Sequence, residues 1–505
     1  METIAKPWPA LWALVLGFFM IMVDTTIVFV ATPAVMTGLR TDINSVVWVT
    51  SAYLLAYAVP LLITGRLGDR FGPKNLYLAG LVVFTLASAW SGFAGDITML
   101  ILSRAVQGLG ASLMTPQTMA VITRIFPPDR RGAAMGLWGG VAGVASLVGP
   151  ILGGVLVDTL GWEWIFFINV PIGVVAFVVA VKFVPVLKTH PHRFDIVGVV
   201  LSAIGLFCLV FGIQEGQTYN WGTIVGPVSV WGLIIAGLVV LTAFAVWQAV
   251  NKRGEPLLPL KLFRDWNFSL ANFGITAVGF AITSLSLPIM LYVQIVRGLT
   301  PTQAALLLVP MAVINGTLSP VIGRLTDYVH PRYVAAPSML ILGGGLYWLS
   351  TMMTPDVPIW HLLFPIAMVG LANAGMWSPL STTATRNLPP WLAGAGSGVY
   401  NTTRQIGSVL GSAGIAVLMQ ARISAELPGA SEAQTGGQGA LPSALHAGFS
   451  AAMGQSLLLP AAVIVVGAIA CLFFARPTRT GWDEERVAPS VAAAETDVTA
   501  PGAPA

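Results

Sequence analysis

The chain has 505 residues, 56% hydrophobic and only 9% charged, with a formal net charge of +4 and a mean hydropathy of +0.81. Soluble domains carry about a quarter charged residues, so this composition cannot cover a water-facing surface. The basic residues are dispersed over short loops, which argues against nucleic acid as a partner.

In chain order, Ala10 to Pro33 is apolar except for Asp24. Many further apolar runs follow it, so it reads as a spanning helix and not as a cleaved signal peptide. Runs of about 20 apolar residues, enough to cross roughly 30 Å of hydrocarbon, recur near 46–65, 76–95, 97–123, 132–157 and 164–185. After the polar interruption KTHPHRFD come two more, near 195–214 and 226–249. The loop NKRGEPLLPLKLFRDW then leads to runs near 267–293, 302–323, 333–353, 359–382, 393–420 and 452–475. The reading is an all-α membrane protein with 14 transmembrane helices: a six-helix bundle (1–185), two inserted helices with their linkers (186–266), a second six-helix bundle (267–475) and a disordered cytoplasmic tail (476–505). Ser424 to His446 reads as an outside loop. Cys208 and Cys471 lie within apolar runs and are expected to be free thiols.

Charge sets the expected orientation. Of the 25 Lys and Arg, Arg104 and Arg404 lie inside spans, and only Arg40, Arg297 and Arg422 fall on one side of the membrane. The rest fall on the other, which places both termini in the cytoplasm. A persistent asymmetry also checks the span count, because one missed helix would scramble it downstream.

The fifth span carries Gly149-Pro150 in its middle and Gly153-Gly154 one turn later. Pro150 cannot donate to the carbonyl of Ser146, so the helix is expected to bend. Ala145, Gly149 and Gly153 share one face at the spacing that lets another helix backbone approach. The chain also repeats itself: GRLGDRFGPK (Gly65 to Lys74) is echoed by GRLTDYVHPR (Gly323 to Arg332), and the helix with Gly136 and Gly149 by the one with Gly398 and Gly411. Two homologous halves with a site between them are a common transporter design.

These stretches resemble a known family. GRLGDRFGPK is similar to the signature loop of the major facilitator superfamily, and Arg104-Ala105-Val106-Gln107-Gly108 to its fourth-helix motif. Gly149-Pro150 with Gly153-Gly154 resembles the antiporter motif of its exporters. VDTTIVFVATP (Val23 to Pro33) and WEWIFFINVPIG (Trp162 to Gly173) resemble the fourteen-helix drug:H+ antiporters. Glu163 stands where an Arg is usual, Thr32 where a Leu is usual, and Thr326 and Tyr328 replace the usual small residue and Arg. The resemblance implies the major facilitator fold and proton-driven efflux, and that Asp69 latches the halves when the inner side is closed.

Asp24 is the one acid well inside the first span. By residue count it lies roughly 14 Å below the outer boundary, and Arg104 lies roughly 10 Å deep, so the two can meet. An unpaired carboxylate in a membrane is costly. Either Asp24 takes up a proton, with Arg104 biasing that equilibrium and Gln107 adding a hydrogen bond, or the pair is static. At the inner mouth, Gly65, Gly68 and Gly72 are expected to let the loop turn tightly and a neighbouring helix end approach, with Arg66, Asp69, Arg70 and Lys74 as gate or as mere positive-inside charges. Arg324 and Asp327 form the corresponding pair in the second half. Arg404 and Gln405 either face the cavity or anchor helices. Trp138, Trp377, Tyr400 and Asn401 are candidate liners for a flat lipophilic substrate, or packing residues. Glu163 and Glu215 are expected to be water-exposed.

No P-loop, metal-ligand cluster or nucleophile–base set stands out, and His190 and His192 are too isolated for a zinc site. The chain is therefore read as a secondary transporter without cofactor, a monomer in the cell membrane, expelling hydrophobic or cationic drugs against a proton gradient. A narrow exporter of an endogenous metabolite, lipid or sugar, and a non-transporting scaffold, are the alternatives.

Overall fold

The computed structural model describes residues 7–126, 128–187, 189, 195–216, 218–250, 258, 260–386, 388, 393–428 and 441–475. The expected tail (476–505), much of the expected outside loop, and His190 and His192 lie outside them. Thirteen helices among the described residues are long and apolar enough to cross a membrane. In chain order these are α1 (Pro7–Gly38), α2 (Ile43–Phe71), α3 (Pro73–Gly92), α4 (Ile97–Ile125), α6 (Trp164–Phe183), α7 (Ile196–Gln214), α8 (Val230–Val250), α9 (Trp266–Val296), α10 (Pro301–Thr326), α11 (Arg332–Met352), α12 (Ile359–Arg386), α13 (Ala393–Glu426) and α14 (Ser443–Leu472). The fifth place is taken by α5 (Pro128–Thr159), a 32-residue helix that is about 48 Å long at 1.5 Å per residue. Fourteen helices thus follow the fourteen expected spans.

Helix starts are set by local chemistry. Asp42, Asp96, Asp195 and Asp265 cap α2, α4, α7 and α9 by accepting from the backbone N–H groups of Ser45, Met99, Gly198 and Phe268. These are the orphan donors of a first turn. Thr300 and Gln303 make a reciprocal capping box at the start of α10. Inside α4, Pro116 cannot bond the Ser112 carbonyl, and the Thr64 hydroxyl of α2 donates to it instead at 2.7 Å.

The first six spans pack on one another, α4 against α2 and α3, α5 and α6 against α1; the last six do likewise, α13 and α14 against α9, and α12 against α10 and α11. The inserted α7 and α8 pack mainly on each other, and α7 also touches α2 and α13. On α8 the buried residues are Val230, Gly237, Phe244 and Gln248; the rest of the helix presents apolar side chains such as Ile235, Leu238 and Val239 outward, as lipid requires. At one end of this pair Asp195 accepts from Trp247 Nε1 (2.7 Å) and Gln248 Nε2 (2.6 Å). At the other, Glu215 accepts from Trp48 Nε1 (2.5 Å) and Asn44 Nδ2 (3.2 Å) of α2. Glu215 is therefore buried, not water-exposed as the sequence suggested, because α2 supplies two donors that replace water.

The two sets of six meet towards the face that carries Gly38 and Thr300. There Asp158 Oδ2 of α5 accepts from the Thr302 N–H of α10 (2.9 Å), Gln294 Nε2 of α9 donates to Val30 O of α1 (3.0 Å), and the Ser51 and Ser412 hydroxyls of α2 and α13 are 2.7 Å apart. On the opposite face, which carries Lys74, Phe71, Leu325 and Tyr328 are exposed. The molecule is closed on the Thr300 face.

Candidate functional site

Asp24 lies in the buried stretch of α1. Its Oδ2 accepts from Arg104 Nη1 of α4 at 2.6 Å. Its Oδ1 accepts from Gln107 Nε2, one helical turn on from Arg104, at 2.8 Å, and from Asn169 Nδ2 of α6 at 2.8 Å. Arg104 Nη1 also donates to Gln107 Oε1 (2.6 Å), and Nε points at Val49 O of α2 at 3.4 Å. The guanidinium carbon sits 4.2 Å from the centre of the Tyr53 ring and 5.7 Å from that of Phe166. Asp24 and Gln107 are fully buried and Arg104 and Asn169 are 1% exposed. A buried ion pair persists only where its remaining donors and acceptors find partners; here Gln107 of α4, Asn169 of α6 and the Val49 carbonyl of α2 provide them.

The structure thus brings Asp24, Arg104 and Gln107 together. It also adds residues that sequence reasoning passed over: Asn169, Ser88 of α3, whose Oγ lies 3.0 Å from Asn169 Nδ2, and Tyr53. A signal for Asn169 existed. It is an amide within the apolar span that begins at Trp164, and a buried amide needs a partner.

Gly149 and Gly153 of α5 lie against α1 beside this site. A Cβ on Gly149 would run into Thr26 Oγ1, and one on Gly153 would stand 2.5 Å from Ile27 Cγ1. Pro150 is buried between them. Gly154 faces the other way, across to the second half: its Cβ would lie 2.6 Å from Thr302 Cα.

The loop after α2 differs from expectation. Gly65 and Gly68 do not turn; both are helical, because α2 runs on to Phe71. Gly68 instead makes room for the Gln117 side chain of α4, and only Gly72, at φ +89°, makes the turn. Lys74 Nζ donates to Val181 O near the end of α6 at 2.7 Å, an anchor within the first half. Arg70 is exposed, its guanidinium 5.4 Å from the Phe71 ring centre, and Arg324 is exposed. The side chains of Arg66, Asp69 and Asp327 lie outside the described residues.

The cavity candidates separate. Trp138, Trp377, Asn401 and Arg404 are half-buried, whereas Gln405 and Tyr400 are buried. Trp138 stacks on Phe18 at 4.4 Å. Tyr400 belongs, with Cys471, to an apolar cluster that spans both halves, which favours packing over lining.

Comparison with known proteins fits this geometry. The Major Facilitator Superfamily model matches residues 14–412, and the chain belongs to that family: it is a multi-pass membrane transporter. It is 53% identical over 474 residues to an uncharacterized MFS-type transporter of Mycobacterium tuberculosis, covering 93% of this chain and 81% of that protein. It is 31% identical to the tetracenomycin C resistance and export protein of Streptomyces glaucescens, covering 95% and 93% of the two chains. It is 33% identical to a probable actinorhodin transporter of Streptomyces coelicolor, covering 85% and 76%. Among solved structures, a D-xylose–proton symporter superposes with a TM-score of 0.63 at 13% identity, covering 93% of this chain and 98% of that one, which supports the fold.

Proposed function

We propose that the chain is a secondary transporter that expels lipophilic, often cationic, drugs or antibiotics across the cytoplasmic membrane in exchange for protons. The observation that carries this reading is Asp24, a carboxylate buried mid-membrane and held by Arg104, Gln107 and Asn169. All three contacts donate to it, an arrangement that suits a carboxylate as acceptor. By the charge pattern the Thr300 face is the outer one and both termini are cytoplasmic. On this reading substrate enters from the inner side while the Thr300 face is closed; opening of the outer face brings water and a proton to Asp24 and releases the drug. Alternating the two states exchanges proton for substrate. The names of relatives, a tetracenomycin C resistance and export protein and a probable actinorhodin transporter among them, support a drug-like substrate and keep a narrow exporter as the second reading.

The test is energy-dependent ethidium efflux from vesicles with wild type and Asp24→Asn at matched expression. Proton-driven efflux in the wild type and none in the variant is expected. Equal pumping by both moves the proton site elsewhere. If the wild type moves no dye, the narrow exporter becomes the better reading; if Asp24→Asn leaves every function intact in a folded protein, a scaffold does.

A further inference from the structure

Asn169 opens the second segment of α6, directly after the helix breaks at Ile168. Its Nδ2 donates to Asp24 Oδ1 at 2.8 Å and to Ser88 Oγ at 3.0 Å. Ser88 gives its one proton to Phe166 O, on the far side of the same break, at 2.9 Å. A hydroxyl has a single proton, so Ser88 can only accept from Asn169, and this fixes which way the amide faces. Held so, Asn169 Oδ1 is buried without a hydrogen-bond partner. An orphaned buried acceptor is costly and calls for an explanation.

We propose that Asn169 is a positioning residue that reads whether Asp24 carries a proton and passes that state to the break in α6; the proposal rests on the proton-coupled reading above. When Asp24 takes a proton from the water admitted on the outer side, an O–H bond forms at Oδ1 and the carboxyl becomes neutral. It then presents a donor to the Nδ2–H of Asn169, and two donors face each other. A half-turn of the amide removes the conflict, placing the orphaned Oδ1 against the new O–H. Ser88 swings its hydroxyl proton from Phe166 O to the same Oδ1. The Ile168 N–H stays on Trp164 O at 3.1 Å, while the Phe166 carbonyl loses its tie to α3. Loss of the proton to the inner side reverses each step, so only one proton has moved. The ionisable groups facing Asp24 among the described residues are Arg104 and Tyr53; α3 and α6 contribute the neutral relay.

The experiment compares two quantities in proteoliposomes of the full chain: ethidium movement driven by an imposed pH gradient, and ethidium exchange without one. Asn169→Leu and Ser88→Ala are expected to lower the ratio of driven movement to exchange by about tenfold, the scale of one lost hydrogen bond, and Ser88→Thr, which keeps the hydroxyl, to restore it. Wild-type ratios in Asn169→Leu and Ser88→Ala would overturn the proposal, as would equal loss of both quantities, which marks a structural role. Should Asn169→Leu not fold, Ser88→Ala decides alone. A wild type with exchange but no driven movement overturns the proton-coupled reading itself, and this inference with it.

Discussion

At Asp24 and Arg104 two opposite charges lie out of reach of water, and each makes hydrogen bonds beyond the one they share. Such a pair is weak evidence of net stability, but breaking it by removing one partner is expensive. Arg104→Gln is therefore expected to cost about 3 kcal/mol by leaving the carboxylate unpaired, read as a fall in the unfolding midpoint of the purified protein in detergent. Adding Asp24→Asn should recover a large part, because no charge is then stranded; a double variant no more stable than Arg104→Gln would mean the two do not act as a pair. This pair was legible in the sequence, since an acid and a base at comparable depth in apolar runs demand a partner. Asn169 was legible only in part. An amide in an apolar span needs a partner, but the residues it bonds, Asp24 and Ser88, come from helices distant along the chain, so the sequence did not say which.

Helices were the most legible level. Hydropathy sets the length of a span, and the fourteen helices start and stop close to the expected limits. What composition could not show was interruption or continuation within a polar motif. The break of α6 at Ile168 sits in an unbroken apolar run, and α2 runs through two glycines expected to turn. On α5, by contrast, spacing alone anticipated the close approach, though not that its glycines serve two neighbours. Gly149 and Gly153 receive α1, while Gly154 receives the Pro301–Thr302 backbone of the opposite half. Backbone cannot yield as a side-chain tip can, so Gly154→Val should hold the Thr300 face apart. The expected outcome is faster labelling of a cysteine placed at Ser51 by a membrane-impermeant thiol reagent; unchanged labelling would show that α5 and α10 separate without consequence.

Over the whole molecule, the weak repeat in the sequence is matched by a repeat in packing. Gly149 on α5 lies against α1, and Gly411 on α13 lies against Phe280 of α9, so the first and fifth helices of each half are joined alike. The buried ion pair breaks that symmetry: Asp24–Arg104 lies within the first half. In the second half the corresponding helices are joined by a neutral contact, Thr403 Oγ1 donating to Asn272 Oδ1 at 2.8 Å.

The attachment of the two extra helices has its own consequence. Glu215 fastens α7 to Trp48 and Asn44 of α2, while towards α13 α7 offers Leu206 and Val210 in an apolar cluster with Val409 and Ala413. Directional bonds hold a fixed geometry, whereas apolar surfaces slide. In the proposed alternation the pair is expected to ride with the first half like a fender, with α13 gliding along it. A disulfide between cysteines on α7 and α13 should arrest ethidium transport until reduced, and one between α7 and α2 should not; arrest by both would make the pair a fixed part of neither half.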